Sequence, residues 1–394
     1  MTLAARPPAA ALVFRTLLVH GPLPRAEIGR RTGLSPGAVT KVATPLLADG
    51  WLTELGGPAA AGARGSGRPA VPLAIRADRA RFVGVKITGD ELIGVLTDLT
   101  ARPLATGRAE LRSRDVDTAV PDLARLVSRL CADAGPERPG GGRGPAYGAV
   151  HGLGVTLAGD VDGRTGVVGY SPFLDWRRVP LARLVEAATG LPTLVENDVR
   201  ALTVAEQWFG AGVGLSSFAL VTVGAGIGCG LSIDGRVVSG AHGVSGEVGH
   251  LPVGGTDRVC TCGNTGCVEA VASSRAITEQ AREAAGDPGL GMAGAVRLAH
   301  AGHREVRAVF ARAGRAMGLA LASVANLVGP ERIVISGEGV SSYDLYEEQI
   351  RRTFAAHAFG AAADCDLVVR PLPFEEWARG GAAVAAQRLF APLG

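Results

Sequence analysis

Two short runs in the middle of the 394-residue chain carry side chains that bind metal. Gly246-Glu247-Val248-Gly249-His250 is soon followed by Cys260-Thr261-Cys262-Gly263-Asn264-Thr265-Gly266-Cys267-Val268-Glu269. His250, Cys260, Cys262 and Cys267 thus fall within eighteen residues. Three soft thiolates and one imidazole are the ligand set of a closed tetrahedral zinc site. Gly263 and Gly266 flank the turn between the last two cysteines and let the backbone bring three sulfurs to one ion. Cysteine also packs as a small apolar residue, but the spacing Cys-x-Cys-x4-Cys points to metal. Glu247 and Glu269 bracket the cluster. Four nitrogen and sulfur ligands already close the shell, so these carboxylates are candidates for gripping hydroxyl groups beside it.

A second set of candidates lies at the basic end of the chain. Residues 1–80 hold ten Arg and Lys against four Asp and Glu, whereas the remainder holds thirty against thirty-three. That end is the one suited to a polyanion. Helices are expected over 9–20 and 25–32. Thr32-Gly33-Leu34-Ser35-Pro36 then supplies a Gly turn, a Ser N-cap and a Pro at the first helical position. A third helix should run to about Asp49, with Val39, Val42, Leu46 and Leu47 inward and Pro45 costing a kink or one hydrogen bond. This is the spacing of a helix-turn-helix. The third helix would offer Ser35, Gly37, Thr40 and Lys41 to DNA. Short strands at 51–54 and 70–73 enclose Arg64-Gly65-Ser66-Gly67-Arg68, which reads as a wing whose Arg64 and Arg68 meet the DNA backbone or minor groove.

The elements that would position the central cluster follow. β-rich runs over 82–87, 92–98 and about 102–111 form a meander, followed by a helix over 117–132, a Pro/Gly-rich loop over 136–144, a strand over 148–157, a helix over 181–189 and a strand over 192–196 ending in Asn197-Asp198. A second copy runs through strands over 218–223, 228–233 and 236–238, helices including 303–327, and a strand over 332–336. Meander, helix, strand, helix, strand is the pattern of one lobe of an actin-like fold, and the metal-binding loop is an insertion on the second lobe.

The segment from Glu247 to Glu269 resembles the zinc signature of the ROK family (repressor, open reading frame, kinase), with both Glu-x-Gly-His and Cys-x-Cys-Gly-x-x-Gly-Cys-x-Glu complete. The resemblance spans about residues 80–394, and the helix-turn-helix resembles the family's regulator branch. It implies an α/β chain: a winged helix-turn-helix over 1–75 and a two-lobed, actin-like (ribonuclease H-like) domain over 76–394. Lobe one would cover about 80–198 plus a closing helix over 377–390, and lobe two about 199–376. The family pattern also assigns Asn197, Asp198, Glu247, His250 and Glu269 to a sugar. In ROK kinases the Asp198 position is the general base. Those kinases carry Asp-x-Gly-Gly-Thr after the first strand, where this chain has Lys86-Ile87-Thr88-Gly89-Asp90. The second phosphate loop survives in part as Gly224 to Gly230, with Ala225 at the usual Thr. Phe173 stands where many relatives carry Asn.

Composition sets the remaining bounds. Hydrophobic residues make up 47% of the chain, enough for a large core and too many for global disorder. Cys131, Cys229 and Cys365 are scattered and read as thiols of a reducing compartment. The apolar start is broken by Arg6, Pro7, Pro8 and Arg15, which suits a signal peptide poorly. The uncharged run 209–233 holds seven Gly and suits turns better than a membrane span. The expectation is therefore a cytoplasmic, sugar-responsive DNA-binding regulator with zinc as cofactor and no membrane. Its partners would be operator DNA and a sugar or sugar-phosphate effector, and it would act as a homodimer or dimer of dimers. The alternative is an active sugar kinase, with Asp198 catalytic, that carries a DNA-binding domain.

Overall fold

The computed structural model describes residues 7–55, 71–132, 150–241 and 243–389. Three helices come first: α1 (Pro8–His20), α2 (Arg25–Thr32) and α3 (Pro36–Ala48). Gly33 takes the left-handed conformation between α2 and α3, and the Ser35 hydroxyl accepts from the Ala38 amide at 3.2 Å. The turn chemistry expected from the sequence is thus present. Pro45 sits inside α3, which nevertheless continues to Ala48. Val39, Ala43 and Leu46 face inward and are fully buried; Val42 and Leu47 are only partly so. Strands β1 (Leu52–Glu54) and β2 (Leu73–Ile75) pair antiparallel. The tip between them, with Arg64 and Arg68, lies outside the described residues, as does the loop over 136–144.

Two five-stranded sheets follow, and they share one topology. The first is built from β3 (Arg81–Ile87), β4 (Glu91–Asp98), β5 (Pro103–Glu110), β6 (Val150–Leu157) and β10 (Thr193–Asn197), in the order β10-β6-β3-β4-β5. Helix α4 (Val116–Ala132) lies between β5 and β6 in sequence. Between β6 and β10 the chain makes a small antiparallel sheet of β7 (Asp160–Asp162), β8 (Val167–Ser171) and β9 (Trp176–Val179), then α5 (Leu181–Thr189). The sequence reading placed nothing between 158 and 180; these strands are too short to carry a periodic signal. After β10 comes α6 (Asp198–Phe209).

The second sheet is built from β11 (Phe218–Val223), β12 (Ile227–Ile233), β13 (Arg236–Val237), and two later strands, β14 (Arg332–Ser336) and β15 (Asp366–Val369), in the order β13-β12-β11-β14-β15. In both sheets three strands form an antiparallel meander, the fourth pairs parallel with the first, and the fifth pairs parallel with the fourth. The helices of this half are α7 (Val268–Ala272), α8 (Ser274–Ala285), α9 (Met292–His300), α10 (Arg304–Val328) and α11 (Glu347–His357), and the last helix of the chain is α12 (Glu375–Gln387). Among the described residues α10 alone is long and apolar enough to cross a membrane. Of its apolar stretch 67% is buried, with Val309, Phe310, Met317 and Leu321 inside the core of this half.

Two compact units result: residues 1–214 with 374–394, and residues 215–373. The first unit takes in α6, which packs against α12. The core of the N-terminal helices is continuous with that of the neighbouring sheet. Phe14, Leu17, Ile28 and Leu46 share one apolar cluster with Phe82 and Leu99 of the sheet and with Ala382, Ala385 and Leu389 at the end of the chain.

Helix α12 lies on β3 and β6, with backbone directly on backbone at Gly84 and Gly154. A Cβ at Gly84 would come within 1.8 Å of the Ala378 carbonyl, and one at Gly154 within 1.9 Å of the Gly381 carbonyl. Gly84→Ala should therefore lower stability by about 1–3 kcal/mol or more, read as the urea midpoint. Gly291→Ala, where a Cβ meets nothing within 4 Å, should shift it by less than about 0.5 kcal/mol.

Candidate functional site

In the first unit the site residues sit where β10 runs into α6. Asn197 is the N-cap of α6. Its Oδ1 accepts from the Val199 and Arg200 amides at 3.0 and 3.2 Å, and its Nδ2 donates to the Gly159 carbonyl at 3.0 Å. The cap function that a strand-end Asp could have served thus falls to its neighbour, and Asp198 is left for other work. Asp198 Oδ1 accepts from the Val199 amide at 2.9 Å, and Oδ2 forms an ion pair with Lys86 Nζ. Both side chains are only 8% exposed. A carboxylate and an ammonium removed from water this far hold each other by charge, and neither is left free. Lys86 Nζ also lies 5.4 Å from the centroid of the Trp377 ring, at the start of α12.

The turn after β3 is closed on itself. The Thr88 hydroxyl accepts from the Glu91 amide at 2.9 Å and lies 2.9 Å from Asp90 Oδ1, to which it donates. Arg114 Nε donates to the Gly89 carbonyl at 2.9 Å. Asp90 is exposed beside this turn, which stands where ROK kinases carry Asp-x-Gly-Gly-Thr. Phe173 is 43% exposed, and its carbonyl oxygen lies on the same side of Gly89 as Arg114.

In the second unit the turn between β11 and β12 has the same character. The Ala225 amide donates to Glu338 Oε1 at 2.8 Å, and the Ile227 amide donates to Glu269 Oε2 at 3.1 Å. Two of the protein's own carboxylates thus take the amides that an anionic ligand would need. Glu338 follows β14, and its carboxylate lies directly on Gly224, where a Cβ would come within 2.4 Å of it. A cavity of about 800 Å³ adjoins it, lined among others by Arg275, Arg282, Met292 and Arg297. Sequence reasoning missed Glu338. Its only signal is an acid in Ser336-Gly337-Glu338-Gly339 after a strand, and nothing local says which turn it reaches.

The metal cluster is assembled in this unit as well. Gly246 and Gly249 seat the first ligand run against β12; a Cβ on either would come within 2.0 Å of the Cys229 carbonyl or 2.3 Å of the Ile227 carbonyl. A short 3₁₀ turn over Val248–His250 then presents His250. Gly263 and Gly266 both take positive φ between the cysteines, as their spacing suggested. The four ligand atoms of His250, Cys260, Cys262 and Cys267 lie within 4.8 Å of one another. Cys262 and Cys267 sulfurs are 3.7 Å apart, and Cys260 Sγ is 3.5 Å from His250 Nδ1. Ligands at zinc-like bond lengths in a tetrahedron sit about 3.8 Å apart for two sulfurs and about 3.6 Å for sulfur and nitrogen. The cluster therefore fits a tetrahedral metal ion. The other ring nitrogen of His250, Nε2, lies 3.9 Å from Glu247 Oε2, too far for a hydrogen bond. Glu269 accepts from Thr261 Oγ1 at 3.0 Å through its other oxygen, so it ties the metal loop to the β11–β12 turn. The remaining cysteines are unlike these. Burial pushes the thiols of Cys131 and Cys365 up to about 11 and that of Cys229 up to about 12, which leaves them neutral and inert.

The sequence profile of the ROK family matches residues 144–388. The chain belongs to the ROK family. A solved ROK family transcriptional regulator, a homologue of the Escherichia coli MLC protein, superposes with a TM-score of 0.80 at 27% identity, covering 98% of this chain and 96% of that one. The xylose repressor of Caldicellulosiruptor bescii is 26% identical over 88% of this chain and 87% of its own length. The glucokinase of Halalkalibacterium halodurans is 30% identical, over 72% of this chain and 88% of its own. This ROK protein thus matches the regulators over more of its length than the kinase. It has the kinase-type actin-like α/β fold of the family and is a transcriptional regulator within it.

The cluster geometry sets a test. The purified ROK protein should carry one metal ion per chain by elemental analysis, and Cys267→Ser should lose it. Chelation should lower the melting temperature of the wild type and leave that of the variant unchanged, because an ion bound only by the folded state stabilises it.

Proposed function

We propose that the protein is a sugar-responsive transcriptional regulator, a repressor, whose effector domain retains a sugar site and has lost phosphoryl transfer. The residues assigned to the sugar are Asn197, Asp198, Glu247, His250 and Glu269. The ion held by His250, Cys260, Cys262 and Cys267 is zinc, and its role is structural: four protein ligands leave no open position for chemistry. It fixes His250 and the two flanking carboxylates.

The observation that carries the loss of kinase chemistry is the Lys86–Asp198 ion pair. A general base must reach the attacked hydroxyl with a free carboxylate oxygen, and Oδ2 of Asp198 is already taken by the Lys86 ammonium. Phosphoryl transfer further needs donors on the nucleotide phosphates. At the β3–β4 and β11–β12 turns the amides of Glu91, Ala225 and Ile227 already serve Thr88, Glu338 and Glu269. A triphosphate would have to displace two carboxylates to bind at the second turn.

The N-terminal helices and hairpin act as a winged helix-turn-helix. Gly37, Thr40 and Lys41 are exposed along one side of α3, and Ser35 at its N-terminus adds a phosphate contact. Arg64 and Arg68 extend the contact from the wing. Palindromic operators call for a homodimer or a dimer of dimers, and the setting is cytoplasmic.

Two measurements test this reading. Lys41→Ala and Arg68→Ala should each weaken binding to a selected operator. The residue on a phosphate should lower the salt slope by about one unit, and the residue on a base should relax sequence preference. Unchanged affinity and slope in both would remove the DNA assignment. In a coupled assay with D-xylose, D-glucose and N-acetyl-D-glucosamine, ATP turnover should be absent, while at least one sugar should raise the melting temperature. Turnover that vanishes in Asp198→Asn would establish the kinase alternative.

A further inference from the structure

Lys86 is buried between two neighbours of different kinds. On one side is the Asp198 carboxylate, and on the other the face of Trp377. An ammonium out of water is held by both the opposite charge and the ring quadrupole. Trp377 is the first buried residue of α12. Its carbonyl lies 3.4 Å from Thr156 Oγ1, and Thr156 is the residue paired with Lys86 across β3 and β6. The start of α12 is therefore seated on the residue that pairs with Asp198.

The far end of the same helix is seated elsewhere. Ala382, Ala385, Ala386 and Leu389 belong to the apolar cluster that holds Phe14 of α1, Ile28 of α2 and Leu46 of α3. One helix of thirteen residues thus touches the ion pair at its beginning and the floor of the N-terminal helices at its end. Between these ends its backbone lies on Gly84 and Gly154, with no flexible side chain to absorb a shift. The other side of the junction is hollow. A cavity of about 640 Å³ lies between the end of α1, the β4–β5 turn and Phe209. Arg379 of α12 reaches into it, donating to the Ala101 carbonyl at 2.8 Å and to Glu376 at 2.6 Å, with its guanidinium 5.6 Å from the centroid of the Phe209 ring. A joint packed on one face and empty on the other can pivot about the packed face.

We infer that Lys86 is a positioning residue for the regulatory response. Without effector it holds Asp198, and Trp377 holds Lys86. A sugar hydroxyl that hydrogen-bonds to Asp198 takes over part of that carboxylate. The lysine then moves against the tryptophan, and α12 passes the shift to the helices that carry α3. No bond is made or broken and no proton is transferred. The inference rests on the reading of Asp198 as an effector contact. It supplies the element with two arrangements that coupling between two sites requires.

The test uses the full-length chain, DNA recovered by selection from a random pool, and the same three sugars. DNA affinity is measured with and without each sugar, and sugar affinity with and without DNA. In the wild type at least one sugar should change DNA affinity by about 5- to 150-fold, with the same factor in the reciprocal measurement. Lys86→Met and Trp377→Leu should both bring that factor to near one. Lys86→Arg, which keeps the charge and a planar group for the ring, should keep it within about threefold of the wild type. Because Lys86→Met strands a buried carboxylate and can impair folding, Lys86→Met/Asp198→Asn removes both charges, and it too should be uncoupled. A wild-type factor with Trp377→Leu and the folded lysine variant both fully coupled would overturn the relay and leave the regulator reading intact. A wild type that binds none of the sugars, or binds one with no change in DNA affinity, would overturn the effector reading and the relay with it.

Discussion

Backbone against backbone is the contact on which the first unit depends. Helix α12 comes from the last part of the chain and lies on β3 and β6 at Gly84 and Gly154, close enough that one methyl group would collide with a carbonyl oxygen. Such contact leaves the helix little freedom to slide, since packed interiors deform poorly. From that seat α12 borders the buried lysine at one end and completes the core of the N-terminal helices at the other. The N-terminal helices pack their apolar residues with one another and in one continuous cluster with Phe82 of β3 and the end of the chain. They are therefore mechanically part of the lobe that carries Asp198.

Backbone donors at the turns of this fold have to be satisfied, either from within or by a ligand. A turn that binds phosphate presents free amides, which an empty site leaves to water and a bound ligand satisfies. In this chain the same turns are satisfied from within, by Thr88 at one and by Glu338 and Glu269 at the other. A carboxylate so placed is held by charge-assisted hydrogen bonds. It also repels any phosphate that approaches, so one side chain both stabilises the loop and excludes the ligand. Lys86 acts in the same way at Asp198: it supplies the opposite charge that makes a buried carboxylate tolerable and occupies one of its oxygens. Lys86, Glu338 and Glu269, none adjacent in sequence, thus occupy Asp198 and the amides of the β11–β12 turn.

Metal and ligand candidates in the second unit are linked through Glu269. One of its oxygens takes the Ile227 amide and the other the Thr261 hydroxyl inside the metal loop. The loop that gathers the sulfurs is therefore tied to the β11–β12 turn through Glu269, as its first run is tied to β12 at Gly246 and Gly249.

Much of this was legible in the residues alone, wherever the determinant is local. Ser35 before Pro36 announces a helix start, apolar runs announce strands, and three cysteines and a histidine within one loop announce a metal, because each depends on neighbours a few residues away. The duplicated sheet was legible for the same reason, since each strand carries its own pattern. Three things were not. The strands between residues 158 and 180 are too short for their periodicity to register. The boundary after α6 is set by packing against α12, from a helix about 170 residues further on. The sequence could mark Lys86 as a departure from a kinase pattern and Asp198 as a strand-end acid, but not that the two form one ion pair. That depends on the distance between β3 and the end of β10, which are separated by β6 in the sheet and by 112 residues in the chain. Only the folded sheet brings such groups together, and only burial makes their charges matter.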